Sequence, residues 1–241
     1  MEPRIDLPNR LPLFPSAQEE ENADNKVVLY KSDQTYTHIK NLILTAALKP
    51  GQRIYEDELA TMLHASRTPV RDALRRLSND GLITIYPKRY TEVTVFSPEA
   101  ARTLGIVRIS QDILAGRLAI YYGSDADFSQ LQQMSKKCEE LASVGDLCGR
   151  IAADGAFHLK ITEIGKNALL MKYQQELYLR LHLLMIQYAA SWDDRVERAS
   201  HHQNLTDALI RRDESALIAT IKHRYQELYG LDSKIVDMCC K

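Results

Sequence analysis

At 241 residues, with 45% hydrophobic and 26% charged side chains, the chain has room for two modest domains and enough apolar content to bury a core. No run of about 18 apolar residues is present, which excludes a transmembrane helix, and no basic segment leads into an apolar block, so a secretory signal is not expected. The formal net charge of −1 conceals an uneven distribution, because residues 66–89 carry six basic against two acidic side chains. The cysteines (Cys138, Cys148, Cys239, Cys240) show no CxxC or zinc-finger spacing, and a reducing, cytoplasmic setting is the simplest expectation. Cys239 and Cys240 sit at the end of the sequence, where fraying is the default.

Residues 1–26 contain Pro3, Pro8, Pro12 and Pro15 followed by Glu19-Glu20-Glu21. That composition cannot bury enough apolar surface to order itself, and a flexible arm is expected. Residues 27–96 read as a compact unit. From about Tyr36 to Leu48, Ile39, Leu42, Ile43 and Ala46 make one helical stripe, stopped by Pro50-Gly51. Tyr55 to His64 reads as a second short helix with Leu59, Met62 and Leu63 inward. The third, from Ser66 to Gly81, carries Val70, Ala73, Leu74 and Leu77 on one face and Arg67, Arg71 and Arg75 at i, i+4 and i+8 on another. Ser66 suits the N-cap, Pro69 lies in the first turn, and Gly81 suits the stop.

Alone, such a helix fits either DNA recognition or a solvated basic face. Its neighbours narrow the choice. Two short helices joined by a tight turn form a helix-turn-helix, whose second helix enters the major groove. After Gly81, alternation in Ile83-Thr84-Ile85 and Val93-Thr94-Val95 around the basic tip Pro87-Lys88-Arg89-Tyr90 predicts a hairpin wing. A winged helix-turn-helix follows. Leu48 to Arg89, LKPGQRIYEDELATMLHASRTPVRDALRRLSNDGLITIYPKR, resembles the DNA-binding domain of GntR-type bacterial transcription regulators. The resemblance implies operator contacts by Arg67, Thr68 and Arg71. Arg75, Lys88 and Arg89 are the further candidates for contact with double-stranded operator DNA. Two positions depart from the pattern: Asp57 stands where the family often has arginine, and Tyr90 replaces the wing glycine.

Ser97-Pro98 opens a helix with a cap and an early proline. Residues 97–230 read almost entirely as helix, with no strand pattern, and so as a helical bundle. The fold class is therefore mainly α: an N-terminal winged helix-turn-helix, then an all-helical domain, with 231–241 as a tail. Ile106, Ile113, Leu114 and Leu118 stripe the first bundle helix, and Phe128, Leu131, Met134, Cys138 and Leu141 the second. Further helices are expected over Asp146–Ile164, Asn167–Trp192, Glu197–Arg212 and Asp213–Tyr229. Asp154 and His158 are i, i+4 on one helix, His202 leads the apolar positions Leu205, Ala208 and Leu209, and His223 follows Ile221 by two. Converging, three imidazoles and a carboxylate suit a divalent transition metal. A buried Asp–His hydrogen bond with two unrelated histidines accounts for the same spacing. His182 reads as a surface or pocket-wall residue.

The segments VRISQDILAGRLA, DGAFHLKITEIGKNALL and HQNLTDALIRRD…H resemble the effector domain of the FadR-like GntR subfamily, called FCD. The resemblance implies a metal, zinc or nickel foremost, held by Asp154, His158, His202 and His223. It further implies a small carboxylate effector that completes the coordination and is helped by Arg108, with Asn167 as a helix cap. Asp112 stands where the family usually has Glu, the loop after Asp213 is one residue short, and His201 is an alternative to His202. The expectation is a cytoplasmic, homodimeric, ligand-responsive DNA-binding regulator, a repressor released by its effector, with no membrane partner and no enzymatic activity. Two alternatives stand beside it: a metal-dependent, hydrolase-like enzyme fused to a winged domain, and a DNA-binding protein with an inert dimerisation bundle.

Overall fold

The computed structural model describes residues 26–189 and 195–240, and the side chains of 32–189 and 201–240. The expected arm, with Leu11, Leu13 and Phe14, and Trp192 at the foreseen end of one helix lie outside the described residues. Contacts divide the chain into two units that meet in sequence between Val95 and Phe96.

In the first unit, α1 (Lys26–Leu44), α2 (Glu56–Met62) and α3 (Arg67–Asn79) are followed by the wing. Helix α1 begins at Lys26 rather than about Tyr36, and ends at Leu44 rather than Leu48 because Ala46 enters the left-handed region at φ 57°. Ile39, Ile43, Leu48, Leu59, Val70, Leu74, Leu77 and Leu82 form its core. Polar contacts also tie α1 to α3: the Tyr36 hydroxyl donates to Asp80 at 2.6 Å, and Arg76 pairs with Asp33 at 2.5 Å while stacking over the Tyr36 ring. Gly81, at φ 80°, turns the chain out of α3 into the sheet. Strands β2 (Ile83–Tyr86) and β3 (Tyr90–Val93) pair antiparallel from Ile83↔Val93 to Tyr86↔Tyr90. A third strand, β1 (Arg53–Ile54), pairs with the other edge of β3; two residues are too few for an alternation to signal. With Tyr90 in the ladder, Lys88 takes the left-handed tip conformation at φ 60°. The Tyr90 ring packs on Tyr86 and under Arg53.

The second unit consists of α4 (Pro98–Tyr122), α5 (Asp125–Ser143), α6 (Leu147–Ile164), α7 (Ala168–Tyr188), α8 (Arg195–Ile210), α9 (Glu214–Tyr229) and α10 (Ser233–Cys239). Local capping explains most of the boundaries. Side chains of Ser97, Ser124, Asp146, Asn167 and Asp213 each accept a backbone N–H in the first turn of the helix they precede. Helix α9 stops at Gly230, left-handed at φ 57°. The inward face of α4 differs from the stripe expected. Leu114 is exposed, whereas Ile109 and Ile113 are buried together with Arg108 and Asp112. His182, expected at a surface or pocket wall, is buried on α7. Within the expected tail, residues 233–239 form a capped helix packed on α4 and α9 that takes in Cys239, where fraying was expected, with Val236 buried and Lys222 paired with Asp237 at 2.5 Å. No helix among the described residues is long and apolar enough to cross a membrane.

Close approach of α9 to α4 needs a glycine. A Cβ on Gly105 would fall 2.4 Å from Cγ of Tyr229, so the absence of a side chain there lets the Tyr229 ring pack directly against α4. That placement brings the Tyr229 hydroxyl to Arg108, and it is where the fold begins to build a site.

Candidate functional site

In the first unit, Arg67, Thr68, Arg71 and Arg75 are exposed on α3, and Lys88 and Arg89 are exposed at the wing tip. The first two arginines are engaged by the acidic start of α2. Arg67 pairs with Asp57 at 2.6 Å, and Arg71 with Glu56 at 2.6 Å. Asp57, where an arginine is usual, thus faces a cation of the recognition helix. These pairs are solvated and weak, worth about 0–1 kcal/mol each. They leave the arginine charges exchangeable for a DNA phosphate.

In the second unit, a buried polar cluster lies among α4, α6, α7, α8 and α9. Its centre is Asp112, buried on α4. Asp112 accepts from Gln174 Nε2 at 2.8 Å, from the Tyr178 hydroxyl at 2.9 Å, from the Tyr225 hydroxyl at 2.6 Å and from Arg108 Nε at 3.3 Å. Burial raises the Tyr178 and Tyr225 phenols well above their ordinary value against the pull of Arg108, so both stay protonated donors. Arg108, 1% exposed, also donates to the Tyr229 hydroxyl at 3.0 Å and reaches Asp154 at 3.5 Å, and its guanidinium lies over the Tyr225 ring. Most of its donors are thus committed within the protein.

Next to this centre stand the histidines. Asp154, His158 and His202 offer donor atoms that all lie within 4.8 Å of one another. His202 Nε2 is 3.1 Å from Asp154 Oδ1. His158 turns Nδ1 toward Asp112 at 3.6 Å and leaves Nε2 buried without a hydrogen-bond partner. Burial would raise the Asp154 carboxyl, but the bond with His202 and the His158 and Arg108 charges hold it well below the usual range. Burial pushes His158 down to about 4 despite Asp112 beside it. A neutral imidazole with a free nitrogen, an ionised carboxylate and a second imidazole form the donor set that a divalent transition metal takes, and the carboxylate behind His158 is the usual orienting partner of such a ligand. Three of the four expected ligands therefore fit.

The fourth does not. His223 is exposed, with its side chain at 68% and Nδ1 3.9 Å from Glu227. The reason is rotation: two residues beyond the buried Ile221 is about 200° around the helix, so His223 points away from the bundle. Arg224 and Tyr225, three and four residues beyond Ile221, flank it instead and are buried. His201, held as an alternative to His202, is buried beside it, with Nε2 lacking a hydrogen-bond partner. Burial and the two neighbouring histidines push its imidazole well below the ordinary value. A cavity of about 340 Å³, counting its open mouth, lies against this group, and its lining includes Arg108, Arg150, Asp154, His201, His202 and Arg224. Sequence reasoning missed Arg150, Gln174, Tyr178, Arg224, Tyr225 and Tyr229. One signal was available, since Arg150, Asp154 and His158 form an i, i+4, i+8 row on α6.

Residues 31–93 match the bacterial regulatory proteins of the gntR family, and residues 107–227 match the FCD domain. The Nta operon transcriptional regulator of Aminobacter aminovorans is 29% identical over 193 residues, 78% of this chain and 88% of that protein. The HTH-type transcriptional repressor RspR of Escherichia coli K12 is 25% identical over 209 residues, 76% of this chain and 92% of that protein. Among solved structures, that of E. coli McbR/YncC superposes with a TM-score of 0.69 at 24% identity, covering 83% of this chain and 95% of that one. That of a GntR regulator from Rhodococcus sp. RHA1 gives 0.73 at 18% identity, covering 86% and 98%. These relatives are transcription regulators, not enzymes, which removes the metalloenzyme alternative. The chain belongs to the GntR family and is a transcription regulator of the GntR/FCD type.

Proposed function

We propose that this regulator represses transcription as a homodimer in the cytoplasm and releases its operator when a small carboxylate binds at a metal centre in the FCD domain. The observation that carries the reading is the convergence of Asp154, His158 and His202 in a buried cluster beside Arg108. Asp154, His158 and His202 would hold the metal, zinc or nickel, which when bound supplies a Lewis-acidic centre for a carboxylate oxygen. The resident groups do the rest. Asp112 orients His158, the three tyrosine and glutamine donors fix Asp112, and Arg108 places a cation beside Asp154 where an anion can share it. In the DNA-binding domain, Arg67, Thr68 and Arg71 read and grip the operator, while Arg75, Lys88 and Arg89 add phosphate contacts. Two copies present two recognition helices to the half-sites of a near-palindrome.

The test is elemental analysis of gently purified protein alongside His158→Ala. The wild-type chain should carry about one divalent transition metal per protomer, and the variant should lose it while still binding DNA. Stoichiometric metal in the variant would refute the ligand set. A metal-free wild type whose melting and DNA binding ignore carboxylates would leave the bundle as an inert dimerisation domain.

A further inference from the structure

The two ion pairs at the start of α3 differ in geometry. Arg67 Nε lies 2.6 Å from Asp57 Oδ1, and Arg67 Nη2 donates to Asp57 Oδ2 at 2.9 Å. One edge of the guanidinium thus meets both carboxylate oxygens side-on. Arg71 reaches Glu56 Oε2 through Nε, at 2.6 Å. A single bond lets a guanidinium swivel, whereas two parallel bonds define its plane.

A guanidinium carries five N–H donors in a fixed fork. Side-on pairing uses the Nε proton and one Nη2 proton. It leaves the outer edge, with one proton each on Nη1 and Nη2, as a second fork. Among the described residues no other group engages that fork. Its spacing matches the O6 and N7 acceptors of guanine in the major groove. Phosphate is the competing partner, and the two differ in charge. The Asp57 carboxylate repels a phosphate but not the uncharged edge of a guanine. Both partners stand on packed helices, α2 through buried Leu59 and α3 through buried Val70 and Leu74. Arg67 is the first residue of α3, and the N-terminal residues of a recognition helix are the ones that meet base edges. Docking on DNA excludes water from the pair, which strengthens it.

We propose that Asp57 is a positioning residue that sets operator specificity: its carboxylate holds the Arg67 guanidinium side-on, so that the outer edge reads a guanine, and it opposes use of the same arginine on phosphate. Specificity is a difference of two affinities, and Asp57 acts on both. The inference rests on the proposed operator contact by Arg67 and adds the residue that aims it.

The experiment lets the full-length protein select from a library of random-sequence duplexes. Binding to the selected duplex is then measured by fluorescence anisotropy with 7-deazaguanine, which lacks the N7 acceptor, replacing each guanine in turn. At one guanine per half-site the replacement should weaken wild-type binding by roughly 5- to 100-fold, the range of a bidentate base contact. Arg67→Lys keeps the charge without the fork and should lose that penalty. Asp57→Asn offers an amide donor to one of the two guanidinium N–H groups. It should reduce the penalty to below about threefold while non-specific affinity does not fall and the melting temperature stays close to wild type. Asp57→Glu, which restores a carboxylate, should recover part of the penalty. In the Arg67→Lys background, Asp57→Asn should change the penalty no further. A full penalty in Asp57→Asn together with its loss in Arg67→Lys overturns the role of Asp57 and leaves Arg67 as the reader. A full penalty in Arg67→Lys, a penalty at no guanine, or no enriched sequence overturns both the contact and the inference.

Discussion

The two units use the same chemistry, arginine against carboxylate, in opposite settings. In the winged domain, Arg67–Asp57 and Arg71–Glu56 are both 2.6 Å long, with side-chain exposures of 65% and 66% for the first pair and 56% and 36% for the second. In the bundle, Arg108 lies 3.3 Å from Asp112 and 3.5 Å from Asp154, yet Arg108 and Asp112 are 1% and 4% exposed. The shorter contacts are the weaker ones. Water screens the exposed pairs, whereas the buried charges have lost their hydration and depend on one another. Exposed pairs can be exchanged for a ligand at little cost. The buried ones set the geometry of the site that a ligand enters.

The largest effect should come from the centre of the buried network. Asp112→Ala removes the acceptor shared by Arg108, Gln174, Tyr178 and Tyr225 and strands several buried donors. We expect a loss of about 3–5 kcal/mol, the cost of breaking a buried charge pair, read as a lower urea midpoint for the full chain. A loss below about 1 kcal/mol would show that the cluster is hydrated and that burial does not separate the two settings. Next in size is Arg71→Ala. Freed from Glu56, Arg71 is placed to make a bidentate base or phosphate contact, worth about 1–3 kcal/mol. Operator affinity in fluorescence anisotropy should fall by roughly 10- to 100-fold, with melting unchanged. Near-normal affinity would remove α3 from recognition.

How much of this was legible in the sequence follows the same division. The winged domain could be read closely because its signals are local: the Arg67, Arg71, Arg75 spacing, the inward Val70, Leu74 and Leu77, and the Gly81 turn all fall within one short helix and its stop. Two features escaped: β1, since its pairing with β3 is set by tertiary contact, and the bounds of α1, which runs from Lys26 to Leu44 rather than from about Tyr36 to Leu48. The bundle's helices were legible from caps such as Asn167 and Asp213, but its site depends on helix rotation. Leu114 looked inward by its apolar character and is exposed, while Arg108 and Asp112 look outward by their charge and are buried. Hydropathy cannot distinguish a charged residue that faces solvent from one compensated across five helices. His223 failed for a geometric reason that a 100° turn per residue makes plain: the inward position after Ile221 belongs to Arg224. The identity of a ligand histidine was inferred from resemblance, and the rotation of α9 decides against it.

The smallest effect tests the exposed side of the comparison most directly. Asp57 holds Arg67 at 2.6 Å, with both side chains about two-thirds exposed. If the pair only competes with phosphate, Asp57→Asn should free Arg67 and remove a like charge facing DNA. The pair is worth about 0.2–1 kcal/mol, so affinity for non-specific duplex at low salt should rise about two- to fivefold. The gain should fade as salt approaches physiological strength, where a charge more than about 8 Å away is screened. Folding stability should stay within about 0.5 kcal/mol of wild type. A fall in affinity would mean that the carboxylate holds Arg67 in its docking conformation, so that its ordering effect exceeds its repulsion of phosphate. In that case the exposed pair would be a built part of the DNA-reading surface, and exposure alone would not mark a contact as exchangeable.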